Sequence, residues 1–187
     1  FAHEEWLARR VVGADFPQVV SWPQRSHLYY LMSWHEGATL ARHLEQGRRF
    51  TPSEAVDLAV RTLKAVAVLH RLAIIHRDIK PENLHLGADG RLRLLDLGVA
   101  ASDGEDAAET FNEINNPGTP SYMAPELFAG TRASESSDIY AVGEIPEQYR
   151  NDPAYVAECW AGAIGKDEYL RTIAQAGLLD VTILEEP

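Results

Sequence analysis

A single cysteine, Cys159, stands among 187 residues, so no disulfide can close within the chain, and a reducing cytoplasm is the expected compartment. Basic residues are also scarce, with 17 Lys and Arg against 28 Asp and Glu. The resulting formal charge of -11 argues against a nucleic-acid partner, because phosphate backbones are gripped by Lys- and Arg-rich faces. No apolar run approaches the roughly 20 residues that cross a bilayer, and no basic, apolar secretory leader is visible. What is present is ordinary: 45% apolar residues, enough for one sizeable core and one or at most two domains. Phe1 falls inside a helical pattern, so the sequence reads as a fragment whose natural start lies upstream.

The coarse pattern mixes helices and strands. His3 to Val12 has the spacing of a short helix closed by Gly13 and Pro17. Gln18 to Trp22 and His27 to Ser33 read as a hairpin across Pro23 and the polar residues after it. Thr51-Pro52-Ser53-Glu54 is a capping box with proline at the first helical position, opening a helix to about Leu72. Val56, Leu58, Ala59, Leu63, Val66, Ala67 and Leu69 give that helix one apolar face. Ile74-Ile75, Leu84 to Leu86 and Arg91 to Leu95 read as strands, the last two joined through Ala88-Asp89-Gly90. From Ala100 to Asn116 the chain is acidic and poor in large apolar residues, and is expected to be mobile in isolation.

The chemistry-bearing stretch is His76-Arg77-Asp78-Ile79-Lys80-Pro81-Glu82-Asn83, followed by Asp96-Leu97-Gly98 and then Ala124-Pro125-Glu126. Phosphoryl transfer from ATP needs an acid to orient the attacking hydroxyl, a cation to neutralise the moving phosphate, and an amide and a second acid for magnesium. Asp78, Lys80, Asn83 and Asp96 can fill those four roles, at the separations of the protein-kinase signature. Asp78 alone would read as a turn residue, and His76 alone as a core histidine. Three motifs in order are not accidental.

Residues 1–143 therefore resemble a eukaryotic-like serine/threonine protein kinase, of the bacterial kind sometimes joined to a protein phosphatase. Lys80, two residues after Asp78, and Gly118-Thr119-Pro120-Ser121-Tyr122-Met123-Ala124-Pro125-Glu126 place the resemblance on the serine/threonine branch. It implies an α+β fold, with part of an N-lobe sheet and a helical C-lobe. It implies ATP and Mg²⁺ as cofactors and a protein bearing Ser or Thr as substrate. Catalytic roles fall on Asp78, Lys80 and Asn83, and metal binding on Asn83 and Asp96. By the same resemblance Met32 is the gatekeeper, backbone groups of Ser33 and His35 meet adenine, and Leu84 and His85 form the pocket floor. His85 departs from the apolar residue usual there. Glu4 is the regulatory-helix glutamate, with Leu7, Ala8 and Val11 on its packing side and Glu5 as the alternative. Arg77 is placed to pair with a phosphate on Ser102 or Thr110, and Asp138 to brace the catalytic loop.

Other family features do not match. The glycine-rich phosphate loop and its strand lysine are absent from the sequence, so this fragment is expected to be inactive alone. No arginine in a matching context pairs with Glu126, which is expected to loosen the docking loop. After Gly143 the pattern stops. Residues 144–187 read as a short α/β tail in which Tyr155 to Ile164, Glu168-Tyr169-Leu170 and Ala176-Gly177-Leu178 resemble the end of arsenite methyltransferases. Cys159 is one thiol where a soft ion needs several, so methyl transfer is not credited to the tail. A kinase core, a non-catalytic kinase-like binding module and a fusion remnant are the classes left open.

Overall fold

The computed structural model describes residues 2–22, 24–25, 27–102, 119–128 and 130–143. The tail expected after Gly143, Cys159 within it, and Thr110 lie outside them.

Helix α1 (Ala2–Arg10) carries its acids in the first turn and its bases in the last, which suits the helix dipole. Leu7 and Val11 are buried and Ala8 packs against the same core, so Glu4 sits where the sequence placed it relative to that face. Beyond the loop at Gly13–Phe16, β1 (Val19–Val20) pairs antiparallel with β2 (Leu31–Met32). The expected hairpin is present, with a shorter paired stretch.

Two elements were not anticipated, β3 (Gly37–Thr39) and α2 (Leu40–Glu45). Gly37 holds φ at 134°. A Cβ there would collide with the Leu86 carbonyl and lie 2.7 Å from Gly87 Cα, so glycine allows the strand to lie against its neighbour.

Helix α3 (Pro52–Arg71) spans 20 residues and begins with the complete capping box: Glu54 N donates to Thr51 Oγ1, and Thr51 N donates to the Glu54 carboxylate. Its buried face comprises Leu58, Ala59, Leu63, Val66, Ala67 and Leu69. Each buried leucine contributes roughly 1.5–3 kcal/mol relative to exposure. This helix is the spine of the core, and β6 (Leu92–Leu94) and α5 (Glu135–Gly143) pack on it. The helix ends without glycine: Ala73 takes φ 55° while its N–H donates to the His70 carbonyl.

β5 (Leu84–Gly87) pairs with β6 across the turn at Ala88–Gly90, and β3 pairs with the other edge of β5, making a three-stranded antiparallel sheet. Strand β4 (Ile74–Ile75) pairs with β7 (Ala101–Ser102). Of the segment from Ala100 to Asn116 expected to be mobile, Ala100 is buried and the next two residues form a paired strand, while 103–116 lie outside the described residues. The buried β4 backbone needs a partner for its polar groups, and β7 supplies it. Short helix α4 (Pro125–Phe128) precedes α5. The chain is thus α+β, and no helix among the described residues is long and apolar enough to cross a membrane.

Candidate active site

The turn from His76 to Asp78 joins β4 to the 3-10 turn at Pro81–Asn83. Its shape is imposed by Asp138 on α5, which is 1% exposed. Asp138 Oδ2 accepts from His76 N at 2.9 Å and Oδ1 from Arg77 N at 2.9 Å. His70 Nε2 on α3 donates to the same Oδ2 at 2.9 Å. These bonds hold Arg77 at φ 67°, a left-handed conformation that costs a residue with a side chain about 1–2 kcal/mol. The bracing role assigned to Asp138 matches this geometry.

His76 is fully buried; its Nε2 donates to the Leu95 carbonyl at 3.1 Å and its Nδ1 accepts from Asp78 N at 3.3 Å. The imidazole therefore fixes the backbone of Asp78 to the strand end that carries Asp96. A second tie runs in parallel, since Leu95 N donates to the Asn83 carbonyl at 2.8 Å. Asp96 itself is exposed, with φ 63°, and its Oδ1 accepts from Gly98 N at 2.9 Å. Asn83 and Asp96 are thus brought to one loop pair by backbone bonds.

Asp78 is the hub. Lys80 Nζ donates to Asp78 Oδ2 at 2.8 Å and to Thr119 Oγ1 at 2.8 Å, while Thr119 donates its N–H and hydroxyl to Asp78 Oδ1 at 3.1 and 3.0 Å. Asn83 Nδ2 donates to the Asp78 carbonyl at 2.8 Å and to Oδ2 at 3.1 Å. Burial pushes the Asp78 carboxyl up, but the hydrogen bonds from Lys80 and Thr119 outweigh it, and its pKa lies below the usual aspartate value. The side chain is an anion at neutral pH. Sequence reasoning assigned Thr119 no role; its only signal was its place in the Gly118-Thr119-Pro120 run.

The amide of Asn83 is oriented by its two donations, which leave Oδ1 as its acceptor atom, and Asp96 offers an exposed carboxylate. Such oxygen donors suit a hard divalent cation that takes its remaining ligands from phosphates and water. Among the described residues no cluster of three or more His, Cys, Asp or Glu forms a metal cage.

The remaining expected residues sit along β2, the segment after it, and β5. Met32 lies opposite Val19 and lines a recess with Tyr30, Leu94, Asp96 and Leu97. Ser33 N donates to the Gln18 carbonyl at 2.8 Å, so only the carbonyl of that residue is left for a ligand. Its hydroxyl accepts from Gln18 N and shares a 2.9 Å hydrogen bond with His35 Nε2. Leu84 is 3% exposed inside the core. Strand alternation turns His85 to the opposite face, so the two residues expected to share one pocket floor are separated. Burial first, then Arg93, holds the His85 pKa below the ordinary histidine value.

Arg77 Nε donates to the Val99 carbonyl. The Glu126 carboxylate, expected to lack a partner, accepts from Ser137 Oγ at 2.8 Å. That bond ties α4 to the start of α5.

Residues 17–150 match the family described as "Protein kinase domain". The chain belongs to the protein kinase family. It is 32% identical over 141 residues to a probable serine/threonine-protein kinase of Streptomyces coelicolor, covering 75% of this chain and 20% of that protein. It is 31% identical over 142 residues to serine/threonine-protein kinase PrkC of Bacillus subtilis, covering 74% and 22%. Protein kinase C delta type of Rattus norvegicus is 32% identical over 129 residues, covering 68% and 18%. The chain spans about a fifth of the length of these curated relatives.

Proposed function

We propose that this chain carries the catalytic-loop and metal-loop part of a kinase that moves the γ-phosphate of ATP to Ser or Thr hydroxyls of a protein. The single observation that supports this most is the closed ring of Asp78, Lys80 and Thr119, with Asn83 donating onto the same aspartate. A carboxylate held ionised and fixed in direction can accept a hydrogen bond from an incoming hydroxyl and then its proton. Lys80, its Nζ held by Asp78 and Thr119, offers positive charge where the transferred phosphoryl group becomes more negative. Mg²⁺ held by Asn83 and Asp96 would neutralise phosphate charge and orient the nucleotide.

Adenine is assigned to the segment after β2, through the Ser33 carbonyl and the His35 backbone, with Met32 behind it and His85 as the floor. Serine or threonine as the acceptor rests on Lys80 and on the printed names of the relatives. The further likenesses, to kinases joined to a phosphatase and to the end of arsenite methyltransferases, rest on the sequence alone.

The decisive experiment is phosphate transfer from labelled ATP to a generic Ser/Thr substrate, by the chain extended upstream to supply the glycine-rich loop and strand lysine. Asp78→Asn should lower the rate by about 100-fold or more, the scale of general-base catalysis. Asp96→Asn should lower it comparably and raise the Mg²⁺ needed for half-maximal rate. Rates within a few-fold of the parent in both variants would reject the role assignments.

A further inference from the structure

We propose that Tyr30 is a positioning residue whose phenolic hydroxyl holds Glu4 against the loop carrying Asp96. This rests on the phosphotransfer reading above for its catalytic consequence, but not for its structural content. Tyr30 stands one residue before β2 and is half-buried, and its hydroxyl donates to Glu4 Oε1 at 2.6 Å. Burial first, then the bond to Glu4, pushes the phenol pKa well up, so the group stays a donor at every physiological pH.

The surroundings give the bond its purpose. A Cβ added at Gly98 would lie 3.9 Å from Glu4 Cδ and 2.9 Å from Asp96 Oδ1. The Glu4 carboxyl therefore lies beside the residue whose N–H holds the Asp96 carboxylate. Two carboxylates of one sign lie near one loop, and like charges push apart. Among the described residues, the nearby arginines serve the neighbouring Glu5 instead: Arg9 and Arg25 both pair with it. The described donor to Glu4 is the Tyr30 hydroxyl. A hydrogen bond to a charged acceptor is about twice as strong as a neutral one.

The arrangement links three elements. α1 brings Glu4, with Leu7 and Val11 along the same face seated in the core. The β1–β2 hairpin brings Tyr30, and the loop after β6 brings Asp96 and Gly98. If the hydroxyl is lost while the ring remains, Glu4 can turn away and the Asp96 loop gains freedom, with the ring still lining the recess beside Ala8, Met32 and Leu94.

The test compares the parent protein with Tyr30→Phe, Glu4→Ala and the double variant. Hydrogen exchange in the nucleotide-free protein should quicken several-fold in the Tyr30→Phe variant at the Asp96–Gly98 amides and the first turn of α1, while α3 stays unchanged. Kinetically, Tyr30→Phe should lower kcat about tenfold with KM for ATP within twofold. The double variant should be no worse than the more affected single one, because coupled residues are not additive. Unchanged exchange at Asp96–Gly98, or equal acceleration throughout α3, overturns the proposal whether or not the parent transfers phosphate. An active parent whose kcat survives Tyr30→Phe also overturns it. If the parent extended upstream by the glycine-rich loop and strand lysine transfers no phosphate, the phosphotransfer reading fails, and the exchange data still decide for or against the latch.

Discussion

Among the described residues, three with side chains occupy the left-handed backbone region: Ala73, Arg77 and Asp96. Two flank the candidate site, where Asp138 and the Gly98 amide hold the turns in place, and the third simply ends α3. Ala73 can therefore be relieved without touching chemistry: Ala73→Gly should stabilise the protein by about 1 kcal/mol, since glycine carries no Cβ penalty there. Urea unfolding followed by circular dichroism would measure it, and a loss of stability would mean that the Ala73 methyl packs better than its backbone suffers. At this scale the sequence spoke clearly where chemistry sits in one contiguous run, as for Asp78, Lys80 and Asn83. It was silent where a role depends on which way a side chain turns. Thr119 closes the ring on Asp78 from 41 residues away, and nothing local to Thr119 announces a target at that separation. Leu84 and His85 were read together because neighbours in sequence look alike until the strand pleat separates them.

The elements most readable from sequence were those with a repeating apolar face or a cap. The capping box at Thr51 and the face of α3 were legible because both are local. β3 and α2 were not, since three residues cannot display alternation and a six-residue helix cannot display a turn-to-turn repeat. β7 was missed for a related reason: its pairing with β4 is dictated by the buried backbone of Ile74 and Ile75 rather than by its own side chains. Helix α1 illustrates how charge fastens one element to another. Arg25, from the hairpin, and Arg9, one turn along α1, both hydrogen-bond Glu5. The Arg25 bond chiefly, then that of Arg9, lowers the Glu5 pKa from 4.5 to about 2. A carboxylate with a depressed pKa contributes stability that is fully present above its ordinary value and is lost as pH falls through the folded one. Acid should therefore weaken the fold between pH 4.5 and about 2 in part through this group. Glu5→Gln should flatten that portion of the stability profile, measured by urea unfolding at stepped pH. An unchanged slope would mean that the Arg25 bridge does not survive in solution.

At the scale of the whole molecule, a chain that binds Mg-ATP in its folded form must gain stability from it by mass action, about 2.7 kcal/mol at a hundredfold excess over Kd. Thermal melting with Mg-ATP should show a rise in Tm that shrinks in Asp96→Asn and disappears when magnesium is chelated. A flat response at millimolar nucleotide would remove ATP binding from the reading of this chain. Family membership was legible across the molecule because its motifs come in a fixed order. The brace that shapes the first of them was legible only through the resemblance, because it lies in one acid on α5. Asp138 reaches back 62 residues to the His76 amide and 61 to that of Arg77. On the ribosome, every signature residue from His76 to Glu126 emerges before the group that shapes the first of them. A nascent chain halted ahead of that acid would bear the complete signature yet lack the brace for the bent turn, so the turn is secured only once α5 has been made.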